Sequence, residues 1–343
     1  MSTILDLDRE ALGLHLDGEP RYRVDQLWDG LYRQLRPVSE ISGLSRALRE
    51  RLAAQLPDAL AEVTARTADD GATTKFLWRL SDGATIETVL MGYPDRATVC
   101  VSTQAGCAMA CRFCATGQAG FERHLSVGEI VEQVVRAART TEQRVSNVVF
   151  MGMGEPLANY EATWGAVERL HDAVGISARH LTISTVGLVP GIRRLAAASL
   201  PVNLAVSLHL AEDARRDDLV PINRRYPLAE LADACGEYVA ATRRRLSLEW
   251  AMIDGVNDGE IDAEQLAAFA APLRAHVNLI PLNRTPGYEY PGSPPARVAW
   301  FQRRLGELGV NATVRVNRGN DIDAACGQLR ATHFITRRSH RPD

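Results

Sequence analysis

The first chemistry in this sequence is a run of three thiols. Cys107-Ala-Met-Ala-Cys111-Arg-Phe-Cys114 has the spacing CxxxCxxC with an aromatic residue before the last cysteine, and Cys100, Cys235 and Cys326 lie outside the run. In a reducing compartment, clustered cysteines more often bind metal or react than form a disulfide framework. Three thiolates leave one iron of a four-iron cluster without a protein ligand, so that iron can chelate the amino and carboxylate groups of a small molecule. The competing reading is a zinc site completed by another Cys or His, with His124 the nearest candidate. The sequence lacks the paired ligands at both ends that a zinc knuckle shows.

A second segment, Gly152-Met153-Gly154-Glu155-Pro156, would let a ligand approach the backbone, and Glu155 could accept hydrogen bonds from an ammonium group. Taken alone, such a segment is more often a turn than a site. Likewise a lone His209 is more often a satisfied core histidine, and Cys100 a buried strand thiol.

Elements with a regular alternation must position these residues. From residue 97 onward, apolar β-branched runs alternate with amphipathic helical stretches. The expected strands are Thr98–Thr103, Asn147–Met151, Leu181–Thr185, Val202–Leu208, Leu246–Ile253, Val277–Leu282 and Ala312–Val316. Helices are expected over Ser126–Arg139, Tyr160–Val174 and Leu228–Arg244, the first opened by the capping box Ser126-Val127-Gly128-Glu129. Such βα units build a parallel sheet, and six of them curl into a partial TIM-type (β/α)6 barrel, with a doubly wound open sheet as the alternative. In either fold chemistry collects at the carboxyl ends of the strands. The cysteine loop, the Gly152–Pro156 segment, Ser184-Thr185, Ser207-Leu208-His209 and Asn283 all fall at such ends.

Ahead of this domain, Asp25–Arg33 and Ser45–Gln55 read as helices. Lys75–Leu80 and Thr85–Met91 read as a hairpin around Ser81-Asp82-Gly83. The expected division is a helical accessory domain over 1–62, a hairpin extension over 63–96, a catalytic domain over 97–335 and a basic tail over 336–343. With 343 residues, 46% hydrophobic and 24% charged, the chain can bury a sizeable core. No apolar run reaches the roughly 18 residues of a membrane span, and the N-terminus has no signal-peptide pattern, so a cytoplasmic protein is expected. The net charge of -3 excludes a uniformly basic nucleic-acid binder, so any RNA contact must be local. Candidates are Arg21, Arg23, Arg33 and Arg36, the run Arg243-Arg244-Arg245, Arg337, Arg338 and Arg341, with Trp28 or Tyr32 for stacking. Lys75 is the only lysine among the 39 Lys and Arg residues.

At this spacing and in this βα context, CxxxCxxC resembles the radical S-adenosylmethionine (SAM) superfamily. The stretch Arg318–Leu329 around Cys326 closely resembles the RlmN and Cfr RNA methyltransferases, together with Cys107–Gly117, Gly152–Leu157, Ser207–His209 and Ile280–Asn283. The likeness in order and spacing covers essentially the whole chain. It implies a 4Fe-4S cluster on Cys107, Cys111 and Cys114. It also implies two SAM molecules per turnover, bound through Gly154, Glu155, Ser184, Ser207, Leu208, His209 and Asn283. Cys326 would become S-methylcysteine, Cys100 would be the resolving thiol that closes a transient disulfide with it, and Glu87 would be a proton acceptor. The implied reaction is methylation of carbon 2 of an adenine, adenine 2503 of 23S rRNA and adenine 37 of tRNA. A reducing electron donor such as flavodoxin or ferredoxin and a monomeric state come with it. Carbon 2 is not nucleophilic, so a methyl carrier outside the cluster makes chemical sense, whereas plain hydrogen abstraction would need neither Cys326 nor Cys100. Three alternatives stay open: Cfr-like methylation of carbon 8, a radical SAM enzyme on a peptide or small molecule, and a zinc-binding RNA module. Cys235, in a helical stretch, reads as core.

Overall fold

The computed structural model describes residues 3–68, 71–283 and 287–315. Cys326, its flanking stretch, Val316 and the basic tail lie outside the described residues. Three helices open the chain: α1 (Arg9–His15), α2 (Tyr22–Tyr32) and α3 (Arg46–Gln55). Asp8 and Ser45 cap α1 and α3 by accepting the amides of Ala11 and Leu48, as short polar residues do at helix starts. Leu12, Leu27, Leu31, Leu48 and Leu52 recur at helical spacing and are buried in the common core.

Three antiparallel strands follow, β1 (Ala61–Thr67), β2 (Thr73–Arg79) and β3 (Thr85–Tyr93), and β3 pairs antiparallel with β4 (Arg96–Cys100). The expected hairpin is β2–β3. β1 was not anticipated: Ala61, Val63 and Ala65 do alternate with Glu62, Thr64 and Arg66, but the apolar residues are small and the strand is largely exposed, so the signal is weak. Next come β5 (Gln104–Gly106), α4 (Ala115–Gln118) and β6 (Phe121–His124). β5 and β6 form a small separate antiparallel pair that brackets the cysteine loop.

The βα alternation then runs through α5 (Val127–Ala138), β7 (Val145–Phe150), α6 (Tyr160–Arg169), β8 (Leu181–Thr185), α7 (Val189–Ala196) and β9 (Asn203–Ser207). It continues through α8 (Asp213–Leu219), α9 (Leu228–Thr242), β10 (Ser247–Met252), α10 (Glu260–Ala270), β11 (His276–Pro281), α11 (Pro295–Glu307) and β12 (Ala312–Val314). Among the described residues the main sheet has ten strands in the order β1-β2-β3-β4-β7-β8-β9-β10-β11-β12, parallel from β4 onward. That order never reverses. A doubly wound sheet requires a point where it does, so the sheet is wound in the barrel sense, with six crossovers from β4 to β12.

The first barrel strand ends at Cys100 rather than at Thr103. The reason is local: the Ser102 amide donates to Gln133 Oε1 at 2.8 Å and its carbonyl accepts from Gln133 Nε2 at 2.9 Å, so a side chain on α5 takes the place of a neighbouring strand. The Ser126 capping box forms as expected, with Ser126 Oγ accepting the Glu129 amide at 3.2 Å and Glu129 accepting the Ser126 amide at 2.9 Å.

Glu132 on α5 ties the helical segment to the barrel. It is buried and accepts the amides of Ala59 at 2.7 Å and Leu60 at 3.3 Å, and pairs with Arg136 at 3.0 Å. Removing it leaves two buried amides without acceptors. Glu132→Ala is therefore expected to cost about 3 kcal/mol, read from chemical denaturation, and to open the chain near residue 58 to limited proteolysis. Glu132→Gln, which keeps an acceptor, should lose less.

Candidate active site

The strand ends do converge. One pocket is lined by Cys107, Cys111 and Cys114, by Gly154 and Glu155 beyond β7, by Ser184 and Thr185 on β8, and by Ser207 and His209 at the end of β9. Met109, Phe113, Thr116, Val186 and Met151 complete much of its wall. Eight of the residues that the resemblance implies as cluster or SAM ligands, Cys107, Cys111, Cys114, Gly154, Glu155, Ser184, Ser207 and His209, thus share one cavity. Leu208 does not: its side chain is fully buried in the core, so any ligand contact would run through its backbone. Asn283 follows β11, partly buried, and is not part of this wall.

The cysteines enter from a loop held at both ends. The Cys107 amide donates to the Gly120 carbonyl at 2.8 Å, and the Cys114 amide to the Cys111 carbonyl at 3.1 Å. Gly106, with φ +77, sits so close to the returning strand that a Cβ there would lie 2.0 Å from the Gly120 carbonyl oxygen. Burial pushes the Cys107 thiol up to about 12 and the Cys111 thiol higher still, with the neighbouring cysteines adding to both. Burial thus favours the neutral thiol at Cys107 and Cys111, which suits a ligand that brings positive charge and displaces the protons. Among the described residues no three His, Cys, Asp or Glu side chains gather as a single ion requires. The three thiols line one cavity together, as a cluster that spans them requires. His124 is engaged elsewhere: its Nδ1 lies 3.0 Å from Gln104 Nε2 across the β5–β6 pair.

Gln104 carries a second duty. Its Oε1 accepts the Glu155 amide at 2.8 Å, which fixes the Gly152–Pro156 turn against β5. Gly154 has φ +104, and a Cβ there would sit 2.6 Å from Gln104 Cβ. Gly154→Ala is expected to cost about 2 kcal/mol from backbone strain alone, measured by thermal melting. The Glu155 carboxylate is buried and accepts the Leu157 amide at 3.0 Å and the Val186 amide at 2.9 Å, so it fastens the β7 loop to the β8 loop. Burial raises it to about 7 against the pull of these donors.

His209 lies in the left-handed region at φ +60, with its ring edge against Phe113, centroids 4.7 Å apart. Burial pushes it down to about 3, so it is neutral, and its Nδ1 accepts the Ala251 amide at 3.0 Å. The ring proton therefore sits on Nε2, as a donor on the pocket wall.

Sheet register places the remaining candidates. Cys100 pairs with Val89 on β3 and with Val149 on β7, and Lys75 on β2 pairs with Val89. Paired residues share a face and alternate residues return to it. Lys75, Glu87 and Cys100 therefore stand on the same face as Met151, Ser184 and Ser207, the face that carries the pocket. Lys75 Nζ and Glu87 Oε2 form an ion pair at 2.9 Å, both side chains buried. The Ser102 hydroxyl donates to the Glu87 carbonyl at 2.6 Å and accepts the Met153 amide at 2.9 Å, joining that strand to the Gly152–Pro156 turn. Cys235 is buried in the core on α9, as expected from its helical setting.

Sequence reasoning missed Gln104, Ser102, Gln133 and Arg216, whose roles come from contacts between distant segments. Lys75 left a signal. It is the single lysine of an arginine-rich chain, and it occupies a fully buried position.

A barrel-wound α/β sheet with a three-thiol loop at its strand ends defines a radical SAM enzyme. Residues 101–267 match the family model of the radical SAM superfamily. A crystal structure of a radical SAM methyltransferase from Sphaerobacter thermophilus superposes with a TM-score of 0.93 at 49% identity, covering 96% of this chain and 100% of that one. A dual-specificity RNA methyltransferase RlmN 1 from Myxococcus xanthus is 50% identical over 353 residues, 99% of this chain and 97% of the relative. An RlmN-named relative from Frankia alni is 52% identical over 330 residues, 92% of this chain and 79% of its own. The chain belongs to the RlmN family of dual-specificity RNA methyltransferases. Among the described residues no helix is long and apolar enough to cross a membrane.

Proposed function

We propose that this protein methylates carbon 2 of an adenine in 23S rRNA, and the corresponding adenine of tRNA, through a methyl group carried on Cys326. The observation that supports this best is the single cavity joining Cys107, Cys111 and Cys114 to the strand-end residues Glu155, Ser184, Ser207 and His209. Cys107, Cys111 and Cys114 hold a 4Fe-4S cluster, and two SAM molecules are used per turnover. When bound, the cluster and SAM supply a methyl donor and a one-electron route to a radical that takes a hydrogen from the carried methyl.

The protein's own residues do the rest. Glu155, braced by the amides of Leu157 and Val186, still has lone pairs for the ammonium group of the ligand. Gly154 lets the ligand reach the backbone, His209 offers its Nε2 proton, and Ser184 and Ser207 offer hydroxyls from adjacent strands. Leu208 acts by placing Ser207 and His209, since its amide donates to the Glu249 carbonyl at 3.0 Å and its carbonyl accepts from the Leu210 amide and Arg216, and Asn283 contacts the ligand from the loop after β11. Met109 and Phe113 in the cysteine loop exclude water. Once carbon joins the base, Cys100 takes the proton from the adduct. The adduct's unpaired electron returns to the oxidised cluster, the Cys100 thiolate bonds to the Cys326 sulfur as the carbon–sulfur bond breaks, and the electron pair left on the carbon takes up a proton, so the products are a Cys100–Cys326 disulfide and a methyl group on the base. Glu87, held by Lys75, accepts the proton that Cys100 gives up to become the attacking thiolate. An electron donor such as flavodoxin or ferredoxin reduces the cluster, a thiol reductant resets the disulfide, and the enzyme works as a cytoplasmic monomer.

Carbon 8 methylation would use the same cysteines. Digesting RNA from cells with and without the gene, and measuring 2-methyladenosine and 8-methyladenosine by mass spectrometry, decides between them. Loss of 2-methyladenosine is expected. Loss of only 8-methyladenosine would move the assignment to carbon 8, and loss of neither would remove it.

A further inference from the structure

Arg216 on α8 is fully buried, and every acceptor it uses is a neutral oxygen. Its Nε donates to the Leu208 carbonyl at 3.0 Å, and Nη1 donates to Asn223 Oδ1 at 2.7 Å. Nη2 donates to the carbonyls of Val186 at 2.8 Å and Ser207 at 3.3 Å. Among the described residues it forms no ion pair within 4.0 Å. Asp213 and Asp217 are hydrogen-bonded to it through the Asn223 amide, which donates to both at 2.8 and 2.7 Å, and their charges also act on it directly. A buried cation with neutral partners is costly unless a counter-charge stands near.

Besides the two aspartates, a further counter-charge would arise one helical turn away, where Cys111 becomes a thiolate on holding the cluster. The amide of Arg112, which follows Cys111, donates to the Leu219 carbonyl at the end of α8 at 3.2 Å. Cys111 itself packs in a small cluster with Leu219 and Val220. Burial lowers the guanidinium to about 10, with Cys111 opposing that fall, so Arg216 stays charged at neutral pH. The carbonyls it grips belong to the strand ends that carry the pocket, and Val186 is held twice, since its amide donates to Glu155 at 2.9 Å.

We propose that Arg216 is a positioning residue for the cluster and its ligand: its fixed charge offsets the Cys111 thiolate and keeps the cluster reducible, while its fork holds the carbonyl rim of the SAM pocket in place. This rests on the reading of Cys107, Cys111 and Cys114 as cluster ligands. Reduction adds negative charge to the cluster. A buried positive charge close by favours the reduced state, and its loss makes reduction harder.

The test uses the full-length protein, reconstituted anaerobically with iron and sulfide. The fraction of reduced cluster is followed by electron paramagnetic resonance across a redox titration, alongside SAM affinity by equilibrium dialysis. In Arg216→Gln the equilibrium should shift about tenfold toward the oxidised cluster, 59 mV for a one-electron couple. Arg216→Lys keeps the charge but not the fork. It should hold the potential near the wild-type value while SAM affinity falls about tenfold. Should the glutamine variant fail to load iron, the lysine variant decides alone. The proposal is overturned by a wild-type potential in Arg216→Gln, by equal shifts in both variants, or by failure of both to take up iron, which would leave Arg216 only a folding role. A wild-type protein without iron would instead defeat the functional reading itself, so the two failures are distinguishable.

Discussion

Cys111→Ala is expected to yield a folded protein that holds no intact cluster and methylates no RNA above background. Two thiolates cannot secure the three protein-ligated irons that the reading requires. The fold should survive, because Cys111 sits in a small apolar cluster with Leu210, Leu219, Val220 and Ile253, where losing one sulfur costs about 1–2 kcal/mol. Iron and sulfide per chain, set beside a melting curve, separate the two effects. The buried thiols add a pH dependence whose sign can be worked out. Burial raises Cys107 to about 12, above the unfolded value near 8.5. In iron-free protein this contributes stability that is fully present below the unfolded value and lost as pH rises toward 12. Cluster assembly must displace the same protons, so reconstitution should become more complete as pH rises through the mildly alkaline range. A Cys111→Ala protein with wild-type iron content would end the cluster assignment for this loop.

Cys326→Ala should separate chemistry from cofactor. Iron content and SAM binding are expected to remain at wild-type levels, because no cluster ligand changes. Methylation should fall by at least a thousandfold, about 4 kcal/mol on the barrier. Without the sulfur the methyl has no carrier, and carbon 2 of adenine cannot attack the sulfonium methyl itself. Cys100→Ala should fail at a later stage, with the carbon already joined to the base. It is expected to trap a covalent protein–RNA species that survives denaturing electrophoresis and is removed by ribonuclease. An active Cys326→Ala enzyme would refute the carrier role. A Cys100→Ala protein that turns over normally, without the adduct, would refute the resolving role.

The repeating core was legible because its signal is local. β8 occupies Leu181–Thr185 as read from the apolar run, and α5 begins at the Ser126 capping box. Both are set by alternation and by a side chain three residues from its partner. The long stretch Tyr160–Val174 also reads correctly as helical, although its last turn, Leu170–Val174, widens to a π-helix before Gly175 ends it at φ +85. The exposed β1 carries only a weak alternation of small apolar residues, and the short β5–β6 pair carries none. Their pairing partners, not their composition, make them strands.

Motif residues were legible for a different reason. Cys107, Cys111, Cys114, Gly154 and Glu155 are clustered in sequence, and their types carry chemistry whatever the surroundings. Which of them meet was decided by the sheet. Cross-strand register sets Lys75, Glu87 and Cys100 on the face of Ser184 and Ser207, and a shift of one residue would turn them all away. Arg216 and Gln104 were invisible beforehand because arginine and glutamine are ordinarily surface residues. Only the folded sheet buries Gln104 against the Glu155 amide and seats Arg216 between the Val186 carbonyl beyond β8 and the carbonyls of Ser207 and Leu208 at the end of β9. The sequence by itself determined the order of βα units and the three-thiol loop, since both are written in neighbouring residues. The tertiary structure decided what surrounds the thiols and which charges they face, because burial and hydrogen-bond partners are properties of residues brought together from distant segments.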